Sequence, residues 1–441
     1  MTPYADRRAR VLAQMQPGAV AVLGTAPEVT RNGDSEYAYR HDSYFYYLSG
    51  FAEPESCIVL VAALGERTAR AILFCRAKNP DHEIWDGFRY GPDAARTTFG
   101  FDEAYPFDEL DARMVGILSN VPALYYALGA QPDLQVAGWL NAVRALGRTG
   151  VTAPATMHHL LALLDEMRLL KDAHEVGLMA RAGAISAAAH ARAMRATRPG
   201  MLEYEIEAEL LYEFRRNGAQ APAYSSIVAS GPNACVLHYN ANNRRVLEGE
   251  LVLIDAGCEF DGYAGDITRT YPANGRFTSP QRTLYELVLR AQAAALAAVK
   301  PGQPYSGIHD AAVRVLTEGM LDLGLLDKRK VGTLDDAIGT RAFAQFYMHG
   351  TGHWLGMDVH DVGVYRDVSQ ADKPSRALQP GMALTVEPGI YVRPAEGVPE
   401  QYWHIGIRIE DDVIVTDTGA RILTNGVPKD VAEIEAWMKA A

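Results

Sequence analysis

The segment LVLIDAGCEFDGYAGDITRTY, residues 251–271, constrains most strongly what this chain can fold into. Four apolar residues precede Asp255, so its carboxylate ends a run typical of a buried strand. Burial of an unpaired carboxylate is costly, and we therefore expect a partner opposite Asp255. Asp261-Gly262 is a strong signal for a two-residue hairpin turn.

A turn at residues 261–262 predicts the register of the hairpin, with Gly257 opposite Asp266 and Asp255 opposite Thr268. Asp255 and Asp266 then lie diagonally on one face, roughly 6–8 Å apart at their Cβ atoms. Two carboxylates there repel each other unless a cation lies between them, and the gap suits a hard metal ion. The alternative is a turn with two exposed aspartates, and bulges at the hairpin glycines would change the register.

A histidine-rich segment is the second source of candidate ligands. MHGTGHWLGMDVHD, residues 348–361, brings His349, His353 and His360 together. His349 and His353 have the i, i+4 spacing of a helical metal pair, but glycines make a regular helix unfavourable and no HExxH motif is present. We therefore expect a loop that aims each histidine separately.

Two glutamates extend the set of candidate ligands. Glu387 ends the apolar strand of LTVEPGIYV, and alternation in GIRIEDDVIV places Arg408 and Glu410 on one face. The alternative for Glu410 is a solvated strand end followed by an Asp-Asp turn. With the hairpin aspartates and one histidine, the set comprises four carboxylates and one imidazole. That set suits a pair of Mn²⁺-like ions better than a zinc finger.

Length and composition indicate a reduced protein of two domains. A chain of 441 residues exceeds one typical core. Its net charge of −12 disfavours non-specific binding to nucleic acid or anionic membranes, and its apolar runs are shorter than the ~20 residues of a membrane span. The four cysteines show no close pairing, and the N-terminus carries charges where a signal peptide is apolar. We expect a cytoplasmic protein.

Residues 1–171 are expected to form the first domain. Strands are predicted in CIVLVAA and RAILFC, and a helix over 136–148. A helical stretch over roughly 157–197 follows. Within it, Asp172 and Glu175 have the spacing of an N-cap before a new helix, and we place the domain boundary there.

Residues 172–441 contain a weak internal repeat. An Ala-rich helix ends at RPG, and the helix LEYEIEAELLYEF follows. Later, LYELVLRAQAAALAAV ends at KPG, and the helix IHDAAVRVL follows. A strand carrying an acidic residue comes after each helix pair. The pattern predicts a duplicated α+β domain with two-fold pseudo-symmetry.

Together these segments resemble the aminopeptidase P branch of the creatinase/methionine aminopeptidase superfamily, the pita-bread metallopeptidases. The resemblance rests on IDAG…GDITRTYP, HGTGHWLGMDVHD, TVEPGIY and GIRIEDD in the family's order, and on RNGDSEYAYRHDSYFYYLSGF near the N-terminus. It covers nearly the whole chain. It implies an α/β two-domain fold, with an N-terminal creatinase-like α/β domain and a C-terminal duplicated α+β pita-bread catalytic domain.

The resemblance implies five ligands for two divalent metal ions, with Mn²⁺ as the family expectation. Asp266 and Glu410 would bridge the two ions. Asp255 would complete one ion, and His353 and Glu387 would complete the other.

Further residues match the family's supporting groups. His349 and His360 would orient the substrate and stabilise the developing oxyanion, and His238 would also lie at the site. Arg408 and Tyr391 would support the metals, with Tyr391 close to the substrate.

Three residues of the N-terminal domain match possible substrate contacts, partly across subunits of a dimer or tetramer. They are Trp85, Asp34 and Arg148. The alternative for them is a core aromatic and ordinary surface charges.

The implied activity is release of the first residue from peptides with proline at the second position. A hydroxide held between the ions would attack the Xaa-Pro bond, and Glu387 would move its proton to the leaving nitrogen. A prolidase, which cleaves only Xaa-Pro dipeptides, has the same fold and ligands. Metal-free creatinase-like hydrolysis fits poorly because all five ligand positions are filled, and a non-catalytic peptide- or histone-binding module would usually lack some of them.

Overall fold

The computed structural model describes residues 2–439, and for residues 130 and 131 it describes the backbone alone. The chain divides into two compact units, the first ending at Arg168 and the second beginning at Leu169. The domain boundary placed between residues 171 and 172 stays a prediction.

Helices and strands alternate along the N-terminal unit, as its sequence predicts. The helices are α1 (Pro3–Gln14), α2 (Ser43–Ser49), α3 (Pro80–Asp86), α4 (Gly91–Phe99), α5 (Leu110–Ile117), α6 (Ala130–Ala145) and α7 (Leu161–Leu169). The strands are β1 (Val20–Gly24), β2 (Thr30–Asn32), β3 (Ser35–Glu36), β4 (Cys57–Val61), β5 (Arg70–Cys75), β6 (Glu103–Pro106), β7 (Ala123–Tyr126) and β8 (Thr156–His159).

Six of these strands form a mixed sheet in the order β6-β5-β4-β1-β7-β8. Strand β4 lies inside the sheet and is buried along its whole length, because the apolar run CIVLV can pack on both faces. It is antiparallel to β1 and β5, with Val59 opposite Val22 on one side and Ile72 on the other. The strands expected in CIVLVAA and RAILFC are therefore confirmed.

Two helix predictions differ from the structure. The helix predicted over 136–148 runs over Ala130–Ala145, because the chain tightens into a 3₁₀ turn at Gly147–Thr149. The helical stretch predicted from about residue 157 begins instead with β8, which pairs with β7 at the edge of the sheet. Pairing in the sheet outweighs the local helical pattern there.

The predicted start of a new helix at Asp172 is confirmed. The Asp172 carboxylate accepts a hydrogen bond from the backbone N–H of Glu175 at 2.9 Å, and the Glu175 carboxylate accepts from the Asp172 N–H at 3.0 Å. This capping box satisfies two donors that the first turn leaves free.

The C-terminal unit contains the predicted repeat of helix pairs and strands. The helices are α8 (Ala173–Ala196), α9 (Glu203–Arg216), α10 (Ser279–Ala298), α11 (Ser306–Asp322), α12 (Lys328–Val331), α13 (Leu334–Gly339) and α14 (Val431–Lys439). The strands are β9 (Ala221–Pro222), β10 (Ile227–Ser230), β11 (Leu251–Asp255), β12 (Cys258–Phe260), β13 (Tyr263–Ala264), β14 (Thr268–Pro272), β15 (Ala383–Val386), β16 (Gly389–Val392), β17 (Ile405–Arg408), β18 (Asp411–Val415) and β19 (Ala420–Ile422).

The two halves of this unit meet through their strands. Helices α8 and α9 pack together, as do α10 and α11, and each first helix of a pair ends before the proline that follows it. The first half contains the sheet β10-β11-β14, and the second contains β15-β18-β19 and β16-β17. The backbone N–H of Glu410 donates to the Thr268 carbonyl at 3.1 Å, which joins the strands of the two halves.

Candidate metal centre and active site

The hairpin at residues 255–268 has the predicted register. Phe260 lies opposite Tyr263, and Asp255 lies opposite Thr268. The turn residues Asp261 and Gly262 have φ angles of +50° and +78°, as a type I′ turn requires.

The hairpin glycines allow close approach and leave the register unchanged. A Cβ on Gly257 would lie 1.7 Å from the Gly265 carbonyl oxygen. Backbone hydrogen bonds on either side, from Ala256 to Ile267 and from Gly265 to Cys258, keep the pairing in step. The alternative of a bulge is therefore wrong here.

Asp255 and Asp266 face the same side, as predicted. The Tyr224 hydroxyl lies 2.6 Å from Asp255 Oδ1 and 2.5 Å from Asp266 Oδ1. One hydroxyl proton cannot fully bond both carboxylates at once, so Tyr224 alone does not satisfy the pair. The alternative of two exposed aspartates is wrong, since Asp266 is 5% exposed.

The histidine-rich segment is a loop, as predicted, and it lies against β15. The backbone N–H of Thr385 donates to the His353 carbonyl at 3.0 Å. The Nδ1 of His353 lies 3.0 Å from the Trp354 carbonyl, so Nδ1 carries a proton, and Nε2 is the nitrogen that could bind a metal ion in place of its own proton. That Nε2 lies 3.4 Å from Asp266 Oδ2 and 3.6 Å from Glu387 Oε1.

Glu410 is buried within the second half of the unit, at 2% exposure. The Thr268 hydroxyl donates to its Oε2 at 2.6 Å. Asp411 and Asp412 belong to β18 and are each 1% exposed. The alternative of a solvated strand end with an Asp-Asp turn is therefore wrong.

These groups fit divalent metal ions. Ligand atoms of Asp266, His353 and Glu410 lie within 4.8 Å of one another, and Asp255 and Glu387 line the same cavity. A set of four carboxylates and one imidazole is rich in oxygen donors, which hard ions prefer.

The pKa shifts of the clustered groups also favour the binding of a cation. Burial raises the pKa of Glu387 to about 7, against the opposing effect of His353. Burial and neighbouring carboxylates raise the pKa of Glu410 well above its usual range. Burial lowers the pKa of His353, but Asp266 and Glu387 outweigh it and bring the value to about 9. The carboxylates thus gain from any cation nearby, whether a proton, an imidazolium or a metal ion.

Arg408 donates hydrogen bonds to one carboxylate of the cluster and to a tyrosine beside it. Its Nη2 donates to Asp255 Oδ2 at 2.6 Å, and its Nη1 donates to the Tyr391 hydroxyl at 3.0 Å. Burial lowers the pKa of His349 to about 4, so this imidazole is neutral. Its Nδ1 faces the Gly350 carbonyl at 2.7 Å, so Nε2 accepts from the Tyr391 hydroxyl at 2.8 Å.

The cluster opens into a cavity of about 710 Å³. His238 and His360 lie on its wall with His349. The rings of His353 and His360 stand edge to face, with centroids 4.2 Å apart. All sequence-predicted residues of the C-terminal unit therefore lie in this cavity or, for Tyr391, directly behind it.

Sequence reasoning missed two residues of the site. Thr268 was placed opposite Asp255, and this register was the available signal for its contact with the cluster. Tyr224 lies in a segment before β10. Tertiary structure brings its hydroxyl to the two aspartates, and the sequence of the segment carries no comparable signal.

The three N-terminal candidates lie in the other unit and are exposed. Trp85 is 86% exposed, so the alternative of a core aromatic is wrong. Asp34 and Arg148 are also exposed. The substrate contacts of all three stay predictions.

Two further observations concern the whole chain. The four cysteines are free and buried, as predicted. Over residues 2–439, no helix has both the length and the apolarity to cross a membrane.

Comparisons with known proteins agree with the site. Residues 177–417 match metallopeptidase family M24, and residues 4–125 match the aminopeptidase P N-terminal domain. The Xaa-Pro aminopeptidase of Escherichia coli (strain K12) is 46% identical over 440 residues, which cover 99% of this chain and 98% of that protein.

Solved structures match over the same length. Aminopeptidase PepP of Pseudomonas aeruginosa gives a TM-score of 0.95 at 50% identity, covering 99% of this chain and 97% of that one. Zinc-substituted E. coli aminopeptidase P in complex with product gives 0.94 at 46% identity, covering 99% and 98%. The predicted fold, a creatinase-like domain followed by a pita-bread catalytic domain, is confirmed. The chain is therefore a metallopeptidase of family M24 and belongs to its aminopeptidase P branch.

Proposed function

We propose that this protein releases the N-terminal residue from peptides whose second residue is proline. The observation that carries the proposal is the convergence of four carboxylates and His353 in one cavity. It occurs in a chain that is 46% identical to an Xaa-Pro aminopeptidase along nearly its full length.

The proposed ligands of two divalent ions are Asp255, Asp266, His353, Glu387 and Glu410. Asp266 and Glu410 would be shared by both ions. Asp255 would complete one site, and His353 and Glu387 the other. Bound ions would supply the Lewis acidity that activates water and polarises the scissile carbonyl.

Two residues of the chain then transfer the proton and stabilise the negative charge that develops in the reaction. Glu387 takes a proton from the attacking water and delivers it to the leaving prolyl nitrogen. His360, beside His353 on the cavity wall, donates to the oxygen on which negative charge develops.

Proline recognition depends on shape more than on hydrogen bonds, because a prolyl amide has no N–H to offer. His349 and His238 line the cavity that would receive the peptide. The Tyr391 hydroxyl holds His349 in one tautomer, and Arg408 holds Tyr391. These contacts fix the position of the His349 ring in the wall.

We further propose Mn²⁺ as the metal, a cytoplasmic location and a homodimer or homotetramer. The oxygen-rich donor set supports Mn²⁺ over softer ions. Four buried thiols support a reducing compartment. Trp85, Asp34 and Arg148 are the proposed N-terminal substrate contacts, partly across subunits.

The test is peptide cleavage by protein stripped with a chelator and then restored with Mn²⁺. We expect an Xaa-Pro-Xaa tripeptide to lose its first residue only after metal is restored. Cleavage of an Xaa-Pro dipeptide alone would instead identify a prolidase. Absence of cleavage of both, in folded and metal-loaded protein, would overturn the proposal.

The ligand assignment has its own test. Asp266→Ala or Glu410→Ala is expected to lose bound metal and peptide cleavage together, because each removes a carboxylate from the centre of the cluster. Metal content by elemental analysis beside kcat/KM would show this, and a variant that retained both would contradict the two-metal assignment.

A further inference from the structure

Glu203, at the start of α9, is a completely buried carboxylate outside the metal cluster. Its Oε1 accepts from the backbone N–H and hydroxyl of Ser230 at 2.7 and 2.8 Å, and from the Asn233 amide at 3.2 Å. Its Oε2 accepts from the Tyr239 hydroxyl at 2.7 Å and the Arg244 N–H at 2.9 Å. Both oxygens of this buried carboxylate therefore have hydrogen-bond partners.

These donors lie on one segment, residues 230–244, which forms part of the cavity wall. Leu237, His238 and Asn240 of this segment line the cavity. Over residues 2–439, no hydrogen bond to the His238 ring is found, so the backbone of the segment sets where this imidazole lies. Tyr239, the next residue, donates its side-chain hydroxyl to Glu203 and is the donor nearest His238 in the sequence.

We propose that Glu203 is a positioning residue that acts through His238 to bind the peptide substrate. Its two carboxylate oxygens hold the two ends of the segment, and His238 lies between them. The proposal deepens the proposed function and rests on it, since it assigns the substrate-binding wall of that same cavity.

The chemistry of the carboxylate suggests how to weaken this contact selectively. Both oxygens of Glu203 accept from backbone N–H groups, those of Ser230 and Arg244. A glutamine can present an oxygen to only one of them, so Glu203→Gln releases one end of the segment. Tyr239→Phe is milder, because it removes only the hydroxyl, which donates to Glu203 and accepts from the Asn243 N–H at 3.4 Å, and keeps the carboxylate and the ring.

The experiment is a double-mutant cycle with Mn²⁺-loaded full-length protein and an Xaa-Pro-Xaa tripeptide. We expect Tyr239→Phe to raise KM by about tenfold, the scale of a hydrogen bond to a charged group, with metal content unchanged. In a His238→Ala background the same change should have no further effect on kcat/KM, because the group through which it acts is gone. Glu203→Gln should behave likewise with a larger effect.

The matched control is Glu209→Gln, the same substitution on the same helix. Glu209 pairs with Arg192 at 2.6 Å and touches no residue of the segment in the contacts found over residues 2–439. It should leave KM unchanged.

Independent effects of Tyr239→Phe and His238→Ala would overturn the inference while the wild-type activity still stood. An unchanged KM in both Tyr239→Phe and Glu203→Gln would do the same. A wild-type protein that failed to cleave the tripeptide would instead overturn the proposed function, and this inference with it.

Discussion

The hairpin around Asp255 and the loop around His353 supply side chains to the same cluster, yet they are ordered by different forces. In the hairpin, segments close in sequence pair through two short ladders that share one register and through a two-residue turn. In the loop, the partners lie far along the chain: the Thr385 N–H bonds the His353 carbonyl, and the His309 ring lies 2.8 Å from the Thr351 hydroxyl.

The difference teaches which parts of such a site are locally encoded. Hairpin geometry follows from turn chemistry and strand alternation, which short segments contain. Loop geometry depends on surfaces that exist only after the helices and strands around it have packed. Substitutions in the loop should therefore damage the site more than substitutions in the hairpin turn.

The largest expected effect is that of Gly352→Ala. A Cβ at this position would lie 2.0 Å from the Thr385 carbonyl oxygen, so the loop must shift and carry His353 with it. A displacement of about 1 Å at a reacting centre costs about a hundredfold in rate, and we expect at least that loss in kcat/KM, with metal lost. Gly350→Ala is the control, because its Cβ would meet Gly352 at an ordinary 3.8 Å. Equal activity in both variants would contradict the comparison.

Thr268→Val should give the next largest effect. The hydroxyl donates to Glu410 Oε2 at 2.6 Å and accepts from Arg408 Nε at 3.1 Å, both in the interior. Its removal leaves two buried groups short of a partner, and we expect about 2 kcal/mol of lost stability and a fall of about tenfold in metal affinity. Calorimetric titration with Mn²⁺ measures the affinity.

Thr270→Val serves as the matched control for Thr268→Val. Its hydroxyl is equally buried but bonds the backbone of Arg408, not Glu410. It should lose stability and keep its metal affinity. A similar loss of metal affinity in both variants would show that the strand as a whole, and not the Thr268 hydroxyl, controls the position of Glu410.

The third prediction concerns pH and His190, which lies against the hairpin. Burial lowers its pKa to about 4, its Nε2 lies 2.9 Å from the Ala256 carbonyl, and its buried Nδ1 has no hydrogen-bond partner among the described residues. The unfolded chain binds this proton near pH 6.5 and the folded chain does not, so stability falls as pH falls from 6.5 towards 4.

Between pH 6.5 and pH 5 the loss of stability assigned to His190 should be about 1.6 kcal/mol. Urea unfolding of metal-loaded protein at both pH values measures it. His190→Gln keeps a donor for the Ala256 carbonyl and cannot titrate, so its loss over this interval should be smaller by that amount. Equal losses in the two proteins would assign the pH dependence to other groups.

The smallest expected effect belongs to the hairpin turn. Gly262 has a φ of +78°, which an L residue adopts at a cost of about 1 kcal/mol. Gly262→Ala should lower the free energy of unfolding by about that amount and keep metal and activity. Asp261→Asn should be nearly neutral, since asparagine is favoured in this turn. Loss of metal in Gly262→Ala would show that the turn controls the ligands more closely than the comparison allows.

Much of the site could be predicted from sequence because two of its proposed ligands, Asp255 and Glu387, end apolar strands. The runs before Asp255 and Glu387 mark each carboxylate as unusual, and the Asp-Gly turn sets which residues face one another. The helix pairs of the second unit were visible in their Pro-Gly ends, and the capping box marked the start of α8. These signals are local, so a single sequence contains them.

Other features were outside the reach of such signals. The segment over 156–159 has no strong strand pattern, and it becomes a strand because the edge of the N-terminal sheet accepts it. Tyr224 reaches two aspartates that follow it by 31 and 42 positions, and no periodicity predicts that contact.

The sequence by itself determined the side chains available to the site, the hairpin that brings two carboxylates to one face and the order of helices and strands. Only the tertiary structure decided where His349, His353 and His360 point, how Arg408 and Tyr391 hold the cluster, and how Glu203 shapes the wall that carries His238. The physical reason is the distance along the sequence over which each kind of interaction acts. Turns, caps and strand alternation act between near neighbours, whereas buried polar networks join residues distant in sequence and are complete only when the whole unit has packed.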